Sequence, residues 1–144
     1  MVQVIRRLVK VGEEQQTRCG IEPGLNHPLY SLDRVEQLIQ QIDSDYLGII
    51  LDPTNLITSE TYQNQVALVQ QAFERFGEKI VAVHLKDYQV QKDQIVPVNL
   101  GTGVIDYPAI CRLIAKEKPG LFVVLEETKD QAIHKAVQLI EQVL

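Results

Sequence analysis

Apolar and polar positions along the chain follow two alternating spacings. In "VQVIRRLVKVGEEQQ" the apolar residues Val4, Ile5, Leu8 and Val11 recur at helical spacing. A short strand, "RCGIEP", follows and is stopped by Pro23. "SLDRVEQLIQQI" is a second helix, with Ser31 as its N-cap and Val35, Leu38 and Ile39 on one side. "YLGIILD" is a continuous apolar run ending at Asp52 and Pro53. Thr58 or Ser59 is then expected to cap "ETYQNQVALVQQAFERFG", which closes at Gly77. "KIVAVHLKD" is a third strand, followed by a polar, hairpin-like stretch, "YQVQKDQIVPVNLGTG". Asp106 caps "YPAICRLIAKEK", with Pro108 in the first turn, where a missing N–H costs little. "GLFVVLEE" is a fourth strand, and "DQAIHKAVQLIEQVL" a final helix.

The order is helix, then strand and helix four times. Strands that are apolar throughout are expected to be buried on both faces, as in parallel sheets. Strands separated by helices read as right-handed βαβ units, so the fold class is α/β.

Each strand ends in titratable groups: Glu22, then Asp52, then His84 with Lys86 and Asp87, then Glu126 and Glu127. In parallel α/β folds functional groups collect at the C-terminal strand ends. Any one of these residues has a plain structural use; an aspartate before proline, as in "LDPTN", is a turn former. Four equivalent positions carrying Glu, Asp, His and Glu are a different matter. Three carboxylates at one rim repel unless protonated or neutralised, and a divalent cation neutralises them best. Oxygen ligands with one imidazole suit Mn2+ first, with Mg2+, Zn2+, Co2+ or Fe2+ as alternatives.

Length and composition narrow the picture. At 144 residues the chain has the length of one domain, and 45% hydrophobic with 23% charged residues is ordinary for a globular protein. A net charge of −5 attracts neither nucleic acid nor anionic lipid. No apolar run is long enough to span a bilayer, and no signal peptide is expected. Cys19 and Cys111 match no zinc spacing and read as two reduced thiols of a cytoplasmic protein.

"GIEP", "LGIILDPTN", "IVAVHLKD", "NLGTGVIDYPAI" and "VVLEE", in this order, resemble the C-terminal half of the xylose isomerase-like TIM barrels. That superfamily includes sugar-phosphate isomerases and epimerases, ketose 3-epimerases, inosose dehydratases and endonuclease IV-type enzymes. The resemblance covers essentially the whole chain, and "HLKD" followed by "GTGVIDY" carries it most specifically. It implies a divalent metal held by Glu22, Asp52, His84 and Glu126, with Glu22 and Glu126 also acting as the acid–base pair. The metal would polarise a ketose carbonyl, one carboxylate would remove the neighbouring proton to give a cis-enediolate, and the other would return it. An inosose dehydratase-like lyase is the neighbouring alternative. The acidic charge and the lack of extra metal-binding histidines argue against the endonuclease branch.

Asn55 stands where epimerases usually carry a histidine, three residues after the ligand aspartate; it can bond a hydroxyl but cannot titrate. The arginine that often follows the histidine strand is absent, and Lys86 is the nearest cation. His27, in the loop after Glu22, and the N–H groups of Gly101 and Gly103 are further candidates for contact with a small sugar or polyol.

A TIM barrel needs eight strands and typically about 250 residues. Four strands leave two unpaired edges and one apolar face uncovered. The half barrel is therefore expected to be completed or covered by a homodimer or by a separate N-terminal half. An inactive remnant or interaction module that pairs with such a half is the alternative to an enzyme.

Overall fold

The computed structural model describes residues 1–143. Its elements in chain order are α1 (Val2–Glu14), β1 (Cys19–Ile21), α2 (Leu32–Ile42), β2 (Leu47–Leu51), α3 (Gln65–Phe76), β3 (Ile80–Leu85), β4 (Asp87–Gln91), β5 (Gln94–Val98), α4 (Tyr107–Glu117), β6 (Phe122–Leu125) and α5 (Ala132–Glu141). Four strands form one sheet in the order β1-β2-β3-β6, every pair parallel. This is an α/β fold with the topology of a partial TIM barrel. β4 and β5 form a separate antiparallel hairpin inserted between β3 and α4. Its turn residues, Lys92 and Asp93, both have positive φ, 47° and 62°, the left-handed pairing that two-residue hairpin turns require.

The caps follow the sequence at two helices. The Ser31 hydroxyl accepts from Arg34 N, and the Asp106 carboxylate accepts from Ala109 N. At α3 the expectation fails: the helix opens at Gln65, not at residue 60. Thr58 instead accepts from Glu60 N within a tight turn, and Tyr62–Asn64 is a 3-10 turn. The Tyr62 carbonyl is taken by the hydroxyl of buried Tyr88 at 3.1 Å. A tertiary contact has displaced the helix start that local signals favoured.

α1 is also rotated from its expected face. Ile5, Val9 and Gly12 are buried, while Val4, Leu8 and Val11 are exposed. The chain returns over Gly12, whose carbonyl accepts from Thr17 N at 2.8 Å. A Cβ on Gly12 would lie 2.5 Å from the Thr17 carbonyl, so this close approach fixes which stripe meets the sheet.

One face of the sheet is the core. Leu47, Ile49, Leu51, Ile80, Val83 and Leu85 are fully buried beneath Val35, Leu38, Val69, Ala72, Ile110 and Ala136. Burying each of the Leu, Ile and Val side chains contributes about 1.5–3 kcal/mol. The opposite, concave face is different, and here burial on both faces does not hold. On β6, Phe122 is 77% and Val124 42% exposed, and alternation puts Glu126 on that same side. The concave face carries the titratable strand ends.

Candidate metal centre and active site

Asp52, the residue after β2, is both turn former and site residue because its two oxygens divide the work. Oδ1 accepts from Thr54 N at 2.8 Å and starts the Pro53–Leu56 turn. Oδ2 points into the concave mouth. Thr54 in turn donates its hydroxyl to the Lys86 carbonyl at 2.7 Å, tying the end of β2 to the end of β3. One step beyond the Leu51–Val83 pair, Asp52 comes level with His84, which pairs with Val124; two steps further, Lys86 lies opposite Glu126.

The register thus gathers Glu22, Asp52, His84 and Glu126. One ligand-type atom from each lies within 4.8 Å of the others. His84 Nδ1 is 3.4 Å from Glu22 Oε1 and 3.8 Å from Glu126 Oε1. Among the described residues, three buried side-chain atoms have no hydrogen-bond partner: Asp52 Oδ2, His84 Nδ1 and Glu126 Oε2. Buried polar atoms are rarely left this way. All three belong to this cluster, and a divalent cation satisfies such a set; the residues fit a metal.

Lys86 supplies the cluster's own positive charge. Its Nζ lies 2.9 Å from Asp52 Oδ2 and 2.6 Å from Glu126 Oε2. Neither approach has hydrogen-bond geometry, so both oxygens stay unpartnered in the directional sense. Its directed bond goes to Asn55 Oδ1 at 3.0 Å. Burial opposes the Lys86 charge but is outweighed by Glu126 and Asp52, so its pKa is raised. Burial pushes Asp52 up to about 6, against the pull of Lys86. For Glu126 burial acts in the same upward sense, yet the Lys86 ammonium beside it prevails and the pKa is lowered. The difference follows exposure: the Asp52 side chain is fully buried and that of Glu126 is 37% exposed.

The remaining predicted residues divide. Asn55 reaches the cluster, donating Nδ2 to Glu22 Oε1 at 2.9 Å. His27 lies at its edge, Nδ1 3.4 Å from the Glu22 carbonyl. His27, Asn55 and Lys86 line a cavity of about 330 Å³, closed on one side by Ile95 and Pro97 of the hairpin. Gly101 and Gly103 are placed elsewhere: their N–H groups donate to Asp87 Oδ2 at 2.9 and 2.8 Å. Asp87 also accepts from Tyr88 N and Ile105 N and is buried. This loop wraps an internal carboxylate and has no N–H at these two positions left for a ligand. The sequence reading missed Asp87 as that hub, although it closes the "HLKD" motif. It also missed Gln65, whose amide bridges the Val104 carbonyl and Asp106 N.

The profile of the xylose isomerase-like TIM barrel family matches residues 1–143. The chain belongs to this family. Among solved structures, a xylose isomerase domain protein from Planctomyces limnophilus superposes with a TM-score of 0.79 at 21% identity, covering 99% of this chain and 52% of that one. A D-tagatose 3-epimerase-like protein gives a TM-score of 0.78 at 18% identity, over 99% and 52%. Among curated proteins, 3-oxo-isoapionate decarboxylase of Pectobacterium atrosepticum is 27% identical over 95 residues, 62% of this chain and 32% of that protein. The chain spans about half the length of these solved relatives and a third of the curated one. Among the described residues no helix is long and apolar enough to cross a membrane.

Proposed function

We propose that the chain is one half of a metal-dependent sugar or sugar-phosphate isomerase/epimerase. The observation that carries this reading is the convergence of one ligand-type atom each from Glu22, Asp52, His84 and Glu126 within 4.8 Å at the strand ends, with the buried His84 Nδ1 left without a hydrogen-bond partner. Glu22, Asp52, His84 and Glu126 would hold the ion, with Mn2+ favoured by the donor set. When bound, it supplies Lewis acidity toward a substrate carbonyl and the neighbouring hydroxyl.

The acid–base roles follow from access. The Asp52 side chain is fully buried, whereas the side chains of Glu22 and Glu126 are 31% and 37% exposed. These two come from the ends of the outermost strands of the sheet, β1 and β6. One removes the proton beside the carbonyl and the other returns it. Asn55 holds Glu22 through Oε1 and does not titrate. The cavity beside them has the size of a small-molecule site. A lyase is the second reading, favoured by the match to a decarboxylase: there the bond to a substrate carboxylate would break with loss of CO2, and Glu22 or Glu126 would protonate the carbon of the resulting enolate.

Calorimetric titration with Mn2+ is expected to show one site per chain, lost in Glu126→Gln. With D-tagatose as probe in deuterated water, exchange at the carbon beside the carbonyl is expected in the wild type and absent in Glu22→Gln and Glu126→Gln. Exchange without ketose interconversion would favour the lyase. Undiminished Mn2+ binding by Glu126→Gln, or exchange surviving in either variant, would remove that residue from its role.

A further inference from the structure

Lys86 occupies the position in the cluster that raises the sharpest question. Its ammonium sits against Asp52 Oδ2 and Glu126 Oε2, carboxylate oxygens of two of the four residues that fit a metal. A divalent ion sharing those two oxygens would meet a like charge across a few ångströms of a poorly solvated site, where repulsion is strong. Lys86 also has somewhere else to go. Its hydrogen bond is to Asn55, and both residues line the cavity beside the cluster.

We infer that Lys86 is a built-in counter-ion that competes with the metal for Asp52 and Glu126, and that metal loading turns its ammonium into the cavity. The inference rests on the metal reading above. Without the ion, Lys86 offsets one of the three negative charges of Glu22, Asp52 and Glu126 and keeps the strand ends together. With the ion, the displaced ammonium becomes a positive group on the wall of the substrate cavity. It there selects substrates carrying an anionic oxygen, such as a carboxylate or phosphate, over neutral sugars.

The test compares Mn2+ affinity in the wild type and Lys86→Met by titration calorimetry and by loss of the free Mn2+ electron paramagnetic resonance signal. Removing the competitor is expected to tighten binding at least about tenfold. Equal or weaker binding in Lys86→Met overturns the inference while leaving the metal reading intact. Absence of Mn2+ binding in both proteins overturns both. Should Lys86→Met fail to fold, the wild type decides. Acetylation of Lys86 by acetic anhydride, followed by peptide mass spectrometry with exposed Lys92 as internal reference, is expected to accelerate several-fold on adding Mn2+. An unchanged or slower rate overturns the inference.

Discussion

At the scale of single residues, the site separates two kinds of carboxylate. Asp52 is poised by burial, with its pKa pushed up to about 6. A protonated Asp52 cannot serve as a ligand, so metal binding below that value must expel a proton. Mn2+ affinity is therefore expected to fall as pH drops through about 6, approaching tenfold per pH unit. Calorimetry across that range checks it; a flat profile would show that Asp52 is ionised throughout or is not a ligand. Asp87 is the opposite case, a carboxylate spent on structure. It accepts four backbone N–H groups, and a Cβ on Gly103 would lie 2.2 Å from its Oδ1. Asp87→Asn turns one acceptor into a donor facing those N–H groups and is expected to cost about 2–4 kcal/mol in chemical denaturation. Mn2+ affinity of the folded fraction should be retained, and its loss would place Asp87 in the functional site after all. From sequence, Asp87 and Lys86 look alike as polar residues closing an apolar run. Which one turns inward to the "GTG" loop and which toward the mouth is set by strand alternation beyond β3, where the hairpin begins.

At the scale of elements, local signals were legible wherever the deciding partner lay within a few residues. Ser31 and Asp106 cap their helices, and the apolar runs are strands, because N–H groups three residues on and simple alternation decide those outcomes. Signals failed where a distant contact ruled. Thr58 does not start α3, because Tyr88 claims the Tyr62 carbonyl from 26 residues away. The buried stripe of α1 is set by the return of the chain over Gly12. The convergence of Glu22, Asp52, His84 and Glu126 was legible for a different reason: equivalent positions on parallel strands converge whatever the loops do. The hairpin of β4 and β5 gives an element-scale prediction. Lys92 and Asp93 both hold left-handed conformations, which strain Lys and which Asp tolerates less well than Gly. Replacing them together by Asn and Gly supplies the pair such a turn prefers and is expected to stabilise the protein by about 0.5–1 kcal/mol. A thermal melt reads it. A lower midpoint would mean that the turn has another geometry in solution, and the cavity wall formed by Ile95 and Pro97 would then need redrawing.

At the scale of the whole molecule, the half barrel leaves three apolar surfaces in water. The concave face presents Phe122 and Val124, α1 presents Val4, Leu8 and Val11, and α5 presents Ile133 and Val137. A few hundred Å² of such surface costs on the order of 5–10 kcal/mol at about 25 cal/mol per Å², comparable with the net stability of a domain. One two-fold arrangement would cover all three. β1 and β6 are the two edges of a parallel sheet, so a two-fold axis along the barrel can pair β6 of each copy with β1 of the other. Eight parallel strands then close, the number a TIM barrel requires, with no edge left over. The same operation would lay the exposed faces of α5 and the partner's α1 over the β6–β1 seams and would bring the Glu22, Asp52, His84 and Glu126 clusters of both copies to one mouth. The chain is therefore expected to be a homodimer, and light scattering on a sizing column should give twice 16.3 kDa. Val137→Lys puts a charge in the helix contact without touching any site residue and is expected to shift the protein toward monomer at micromolar concentration. A monodisperse wild-type monomer would sink the dimer, and would mean that the apolar faces await a different half.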